Sequence, residues 1–191
     1  MGTTTIGVSI AVPEPYGRSL QERRAAFGDP AAFAIPTHVT LLPPTEVAPA
    51  GLPAFRRHLT RVAAETRCFP MRLDGTDTFR PVSPVVYVRV VEGGAACGEL
   101  QERVRSGPLA RDLQFPYHPH VTIGHGIPEP ALDRARAELA AFAAGWTATG
   151  FTLYEQGPDG VWQRIEDFPF GGHEERPAVP HQQGSRTPTR I

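Results

Sequence analysis

The 191-residue sequence contains no lysine and no asparagine, so all 19 of its lysine-or-arginine positions are arginine. Because lysine and asparagine codons are AT-rich, we attribute both absences to a GC-rich coding sequence rather than to function. The formal net charge is −1, so the chain lacks the large excess of positive charge that is typical of general nucleic-acid binders.

Cysteines and long apolar runs are also scarce. The only two cysteines, Cys68 and Cys97, lack CxxC spacing, which predicts reduced thiols rather than a disulfide or a redox site. No apolar run approaches the roughly 20 residues that span a bilayer. The N-terminal residues show no basic segment followed by an apolar one, as a signal peptide would. We therefore expect a cytoplasmic protein that does not associate with membranes.

Hydrophobic periodicity predicts an alternation of strands and helices. The predicted strands are residues 4–12, 37–42, 69–80, 84–91, 119–124, 146–156 and 161–168. The predicted helices are residues 17–27, 52–66, 95–106 and 130–144. The second strand should stop at Pro43-Pro44, the third should bend near Gly75, and His58 should be exposed on its helix.

The order strand, helix, strand, helix, strand occurs twice along the chain. This repetition predicts two similar, intertwined lobes, roughly residues 1–80 and 81–170, related by an approximate two-fold axis within one domain of residues 1–170. Residues 171–191 are rich in proline, glutamine, serine and threonine and cannot bury much apolar surface, so we expect a disordered C-terminal tail.

The tripeptide His-Val-Thr also occurs twice, beginning at His38 and at His120, which are 82 residues apart. Each copy falls in a predicted strand, where residues two apart share a face. His38 and Thr40 should therefore point the same way, as should His120 and Thr122, while the intervening valines face the core. Both copies occupy equivalent places in the repeated order of elements, which predicts two matched polar faces.

These faces suit in-line displacement at phosphorus. That reaction requires proton removal from the nucleophile and proton delivery to the leaving oxygen on the opposite side. Imidazole can do either near neutral pH, with about 10²–10⁴-fold from each acid or base. A threonine hydroxyl can donate a hydrogen bond to a phosphoryl oxygen. We therefore interpret His38 and His120 as the catalytic acid and base, in either order, and Thr40 and Thr122 as phosphate-binding hydroxyls.

The motifs in their settings, PTHVTLLPP and HPHVT, resemble those of the 2H phosphoesterase superfamily, most closely its 2'-5' RNA ligase and cyclic phosphodiesterase group. The resemblance runs from about Thr4 to Phe170. It implies a bilobal α+β fold in which two antiparallel sheets form a central cleft with helices on the outside. It also implies hydrolysis of 2',3'-cyclic phosphates of nucleotides or RNA ends, or reversible 2'-5' RNA ligation, without metal or cofactor. His38 and His120 match the catalytic histidines of the family, and Thr40 and Thr122 its phosphate-binding hydroxyls.

The sequence departs from this family at two places. Many relatives carry an arginine shortly after the second motif, where this chain has Ile123-Gly124-His125, so His125 is a candidate for part of that positive charge. After the first motif, Pro43-Pro44-Thr45 replaces an aromatic-Leu-Gly stretch.

Residues before the second motif are further candidates for substrate contacts. Tyr117 and Phe115 could stack on a nucleobase or simply pack at the mouth of the strand. His118 is a candidate rim residue or partner of His120. Arg80 and Arg89 flank the predicted central strands and are candidates for phosphate neutralisation or for solvated surface positions.

Two other functions remain open from the sequence. His118 and His120 could form a metal pair, which would give a metal-dependent hydrolase, although the segment offers few further ligands. The same fold could also be a non-catalytic RNA- or nucleotide-binding module. The near-neutral charge favours a small or terminal substrate, because binding to long duplexes relies on many phosphate contacts. We expect a monomer whose partner is a nucleotide or RNA terminus carrying a 2',3'-cyclic phosphate.

Overall fold

A computed structural model describes residues 2–110 and 113–171. The strands are β1 (Thr4–Ala11), β2 (His38–Val47), β3 (Phe69–Thr78), β4 (Val85–Glu92), β5 (His120–His125), β6 (Ala143–Ala148), β7 (Gly150–Gln156) and β8 (Trp162–Pro169). The helices are α1 (Tyr16–Ala26), α2 (Leu52–Ala64), α3 (Gly94–Arg105) and α4 (Glu129–Glu138), with a short 3₁₀ turn before α2. In this part of the chain, no helix combines the length and apolar character needed to cross a bilayer. The predicted tail lies outside the described residues, except for Gly171.

The strands form two four-stranded antiparallel sheets, with the orders β2-β1-β7-β8 and β5-β4-β3-β6. The helices pack on these sheets; α4, for example, contacts β3, β4 and β5. The predicted α+β fold of two antiparallel sheets in a bilobal, duplicated arrangement is confirmed.

The division between the sheets does not fall at residue 80. Strand β3 belongs to the first half of the chain but pairs with β4 and β6 in the second sheet. Strand β7 belongs to the second half but pairs with β1 in the first sheet. Strand β8 pairs with β7, so the first sheet takes two strands from the second half of the chain, and the second sheet takes one from the first half. Sequence periodicity identifies a strand but not the sheet that it joins, because strand partners can be distant in the chain.

Strands β2 and β5 occupy equivalent edges of their sheets. Each pairs on one side with the first strand of its half, β1 or β4, and the two edge strands contact each other. The register is interrupted at the same place in both: Ser9 pairs with Thr40 but Val8 with Leu42, and Tyr87 pairs with Thr122 but Val86 with Gly124. Both strands therefore carry an extra residue directly after the threonine, as in a β-bulge.

Several predicted boundaries are corrected. Strand β2 continues through Pro43 and Pro44 to Val47. Prolines are tolerated there because an edge strand has one side without ladder partners. The helix predicted to reach residue 144 ends at Glu138, and Ala143–Ala148 pairs with β3 instead. The strand predicted over residues 146–156 is two strands separated at Thr149. The bend near Gly75 is confirmed by its φ of 64° and a register shift between Leu73 and Thr76.

In each motif strand, the buried valine on one face fixes the orientation of the histidine and threonine on the other face. Val39 and Val121 are both 0% exposed and belong to the hydrophobic core. Full burial of such a side chain contributes about 1.5–3 kcal/mol. The alternation predicted for both His-Val-Thr strands is therefore present, and a one-residue slip of either strand would turn its valine out of the core and its histidine into the core.

Candidate functional site

His38 and His120 begin β2 and β5, and their rings are held in the same way. In each case Nδ1 lies 2.7 Å from the carbonyl oxygen two residues earlier, that of Pro36 or of His118. A carbonyl oxygen can only accept a hydrogen bond, so Nδ1 carries the proton and donates it. In the neutral ring Nε2 then holds a lone pair, which is the state needed to accept a proton.

Burial is the main influence on both imidazoles. It lowers the pKa of His38 from 6.5 to about 4, against the opposing effect of the bond to Pro36, and the charges of Arg24 and His120 lower that pKa further. Burial also lowers the pKa of His120, and the charge of His118 adds to the effect. The influence of His120 on the pKa of His38 reflects how close the two groups are. At pH 7 both rings are neutral.

Thr40 and Thr122 each lie two residues beyond their histidine, on the same strand face, and both are partly exposed. Within residues 2–110 and 113–171, neither hydroxyl is hydrogen-bonded to another group. Each side chain is therefore free to donate to a ligand. The structure thus repeats one unit, an imidazole beside a free hydroxyl, on each of two contacting edge strands.

Tyr117 connects the two motifs. Its phenol donates a 2.9 Å hydrogen bond to the main-chain carbonyl of Thr40, across 77 residues of chain. Burial raises the pKa of this phenol, so it remains protonated and able to donate. Its hydroxyl therefore joins the segment before β5 to strand β2. The contact of Tyr117 with a substrate stays a prediction.

An aromatic pair supports the second histidine. The rings of Phe79 and Tyr87 lie 4.4 Å apart between centroids, and His120 packs against them at 4.9 and 5.3 Å. His118 also contacts both rings, at 5.4 Å from each. Sequence reasoning missed Phe79 and Tyr87. Pairing of β4 with β5 would have indicated Tyr87. This residue pairs with Thr122, and paired residues of neighbouring strands lie on the same face of the sheet.

A cleft of about 560 Å³ opens beside this arrangement. Thr40 of the first motif and His120 of the second both line it, which brings the two motifs to one cavity. The rest of the lining is mainly apolar and includes Phe79, Phe115 and Val82. The side chains of Phe115 and Val82 are 59% and 74% exposed, so this apolar wall is open to an incoming ligand.

The remaining candidates lie around the cleft. His118 lines it and is exposed. His125, at the far end of β5, is also exposed, and its backbone N–H donates to Oδ2 of Asp29 at 3.1 Å. Arg80 forms ion pairs with Glu129 and Asp133.

No three metal-ligating side chains cluster among residues 2–110 and 113–171. The rings of His118 and His120 are 6.3 Å apart between centroids, and both pack on aromatic rings.

Two pseudo-equivalent sheets, each contributing a His-x-Thr edge strand to one cleft, define the class of 2H phosphoesterases. Comparison with known sequences agrees with this class. The chain belongs to the 2'-5' RNA ligase superfamily, whose sequence profile matches residues 12–160.

Individual relatives extend this relationship over most of the chain. A Geobacillus sp. (strain WCH70) protein named "Putative phosphoesterase" is 32% identical over 143 residues, which cover 74% of this chain and 82% of the relative. A relative from Halalkalibacterium halodurans with the same description is 29% identical over 170 residues, covering 88% and 98% of the two chains.

Solved structures share the fold. TT0787 of Thermus thermophilus superposes with a TM-score of 0.63 at 22% identity, covering 88% of this chain and 98% of its own. E. coli LigT in complex with 3'-AMP gives a TM-score of 0.63 at 17% identity, covering 88% and 99%. At these identities the likeness concerns the fold alone.

Proposed function

We propose that this protein is a metal-independent phosphoesterase that hydrolyses 2',3'-cyclic phosphates of nucleotides or RNA ends, with His38 and His120 as general base and acid. The observation that carries the proposal is that both imidazoles make the same hydrogen bond: Nδ1 of each ring donates to a backbone carbonyl oxygen at 2.7 Å. This bonding leaves both Nε2 atoms available for proton transfer. Holding both rings in one orientation also fixes where each proton is taken or delivered.

In the proposed reaction, one imidazole accepts a proton from water as the water oxygen attacks phosphorus. The bond from phosphorus to one ribose oxygen breaks, and the other imidazole, protonated, delivers its proton to that oxygen. The products are a phosphomonoester and a free ribose hydroxyl. With the 5'-hydroxyl of a second ribose in place of water as the nucleophile, the same forward steps open the cyclic phosphate at its 3' oxygen and form a 2'-5' linkage; run backward, they cleave that linkage.

We assign the base to His38 and the acid to His120. The positive charge of Arg24, and that of His120 when its ring is protonated, disfavour protonation of His38, whose pKa is about 4. For His120, only the charge of His118 lowers the pKa in the same way. The neutral form needed for a base is therefore favoured more strongly at His38. An anionic phosphate in the cleft would raise the pKa of both rings, which gives His120 its proton when substrate binds.

The apolar cleft supports a nucleoside as the organic part of the substrate. A base can stack on the exposed ring of Phe115 while the phosphate lies at Thr40 and His120, since all three line one cavity. LigT, a structural relative, has been crystallised with 3'-AMP, ATP and NADP⁺. These complexes support a nucleotide as the class of ligand to test here.

The decisive experiment is turnover of 2',3'-cyclic AMP in EDTA by wild type, His38→Ala and His120→Ala. We expect wild-type turnover to persist in chelator and to fall at least about 10²-fold in each variant, because each removes an acid or a base. Thr60→Ala, which removes an exposed helical hydroxyl, serves as a control for purification and folding. Undiminished turnover by both histidine variants would refute the mechanism. Binding without turnover in wild type would indicate a nucleotide-binding module, and loss of activity in EDTA a metal-dependent hydrolase.

A further inference from the structure

The proposed acid–base pair leaves one electrostatic requirement unmet. Displacement at phosphorus concentrates negative charge on the non-bridging oxygens, and phosphoryl sites stabilise it with fixed cations as well as hydroxyl donors. Both imidazoles are neutral at pH 7 before substrate binds, because burial lowers their pKa values. A permanent positive charge near the cleft would fill this role.

Arg24 supplies such a charge from the last turn of α1. Its Nε donates a 2.7 Å hydrogen bond to Oδ2 of Asp29, and the two side chains are only 12% and 1% exposed. A guanidinium is always protonated and can present several donors in a fixed plane. This ion pair is therefore a rigid, shielded cation rather than a mobile surface arginine.

Asp29 holds this cation against the second motif strand. Its Oδ1 accepts the backbone N–H of Ala31 at 2.9 Å, and its Oδ2 accepts the backbone N–H of His125 at 3.1 Å. Helix α1, which carries Arg24, packs on β5, the strand that carries Thr122. The segment before β2 also contacts α1, through the bond from Thr37 Oγ1 to the carbonyl of Gly17. Arg24 is thus placed near both motif strands, and its charge acts on His38.

Other arginines near the site are engaged elsewhere. Arg80 is paired with Glu129 and Asp133, and Nε of Arg89 donates to the carbonyl of Asp74 at 3.0 Å. Arg89 also lines a separate depression, with Thr76 and Arg136. The bond to Asp29 uses only Nε of Arg24. Across residues 2–110 and 113–171, no other acceptor is bonded to that guanidinium. Its two terminal nitrogens remain as donors for an anion.

We propose that Arg24, positioned by Asp29, binds a phosphoryl oxygen of the anion held between the His38 and His120 strands. The proposal rests on the proposed function, because it assumes that the phosphate lies between these strands. It assigns the positive charge of the site to helix α1 rather than to His125, the residue that follows the second motif. Asp29 is a positioning residue, since it acts through Arg24.

Binding of inorganic phosphate tests the proposal without requiring turnover. We would titrate phosphate into ¹⁵N-histidine-labelled protein and follow the Nε2 signals of His38 and His120. Replacing Arg24 by Met keeps the side-chain length but removes the charge, and should weaken phosphate binding about 10- to 100-fold. Arg24→Lys should recover part of the loss. Arg23→Met is the matched control, because Arg23 is the neighbouring arginine of the same helix and pairs with Glu138 at the surface.

A loss of folding must be separated from a loss of binding. Removing one partner of a buried ion pair leaves an uncompensated charge and destabilises the protein. The double variant Arg24→Met/Asp29→Asn removes both charges, so it should melt closer to wild type while showing the same loss of phosphate affinity. Phosphate binding of wild-type strength in the folded double variant would overturn the proposal, as would an absence of saturable phosphate binding in wild type. Failure of wild type to hydrolyse cyclic nucleotides while phosphate binding depends on Arg24 would instead refute the proposed function alone.

Discussion

The phenol of Tyr117 donates a hydrogen bond to the main-chain carbonyl of Thr40, and so ties the approach to one motif strand to the body of the other. The bond joins the two halves of the chain at the residue that we propose binds phosphate. The relative position of the two motifs therefore depends partly on a single hydroxyl.

Tyr117→Phe should reduce both stability and catalysis. Removing the hydroxyl leaves a carbonyl without its partner, which costs about 0.5–1.5 kcal/mol of unfolding free energy. We expect kcat for 2',3'-cyclic AMP to fall more than KM rises, because the loss concerns the alignment of two strands. Urea unfolding and steady-state kinetics measure the two effects. Tyr16→Phe, at a partly buried tyrosine packed against the core, is the control. Unchanged stability and kcat in Tyr117→Phe would show that the bond positions nothing.

The dependence of kcat/KM on pH should have an acidic optimum. As the proposed base, His38 must be neutral, so kcat/KM should fall as pH decreases through about 4. As the proposed acid, His120 must be protonated, and its pKa lies below 6.5, so kcat/KM should also fall as pH rises towards 6.5. Because a bound anion raises both pKa values, the optimum of kcat should lie at higher pH than that of kcat/KM. Coincident optima, or a kcat/KM optimum above pH 7, would contradict this assignment.

His38 should also make the folded state sensitive to acid. Its folded pKa of about 4 lies below the ordinary value of 6.5, so between these pH values the unfolded chain binds more protons. The free energy of unfolding should therefore fall as pH decreases from 6.5 to 4, by up to about 3 kcal/mol from this residue. Urea unfolding of wild type and His38→Gln at pH 7.5 and 4.5 measures the difference, with exposed His125→Gln as control. A wild-type pH dependence that persists in His38→Gln would assign the effect to other groups.

Phe115→Ala should weaken substrate binding with little effect on folding. Its ring is 59% exposed on the apolar wall of the cleft, and stacking of a base on an aromatic ring is worth about 1–3 kcal/mol. We expect KM for 2',3'-cyclic AMP to rise about 5- to 150-fold while the melting temperature is preserved. Phe33→Ala is a matched control, because Phe33 is 65% exposed and does not line the cleft. Equal KM values for the two variants would remove Phe115 from the substrate site.

Local pattern was sufficient to identify the motif strands. The alternation at His38, Val39 and Thr40 and its repetition 82 residues later determine which side chains share a face, and burial of both valines follows from that alternation. The duplicated order of elements then implied that the two faces are equivalent. These conclusions require only neighbouring residues and one internal comparison.

Features set by distant contacts could not be predicted in this way. His58 was expected to be exposed between arginines, yet it is 7% exposed because its Nε2 bonds to the carbonyl of Arg103 on α3, at 2.9 Å. The partnership of β3 with β4 depends on sheet pairing rather than on its own sequence. Arg24 was not a candidate, because only the packing of α1 on β5 brings it near the site.

The placement of β3, β7 and β8 makes the two sheets depend on each other. The first sheet takes β7 and β8 from the second half of the chain, and the second sheet takes β3 from the first half. A break in the backbone near residue 80 would therefore leave neither fragment with all the strands of one sheet. The two motif strands thus belong to a single cooperative unit that neither half of the chain can form alone.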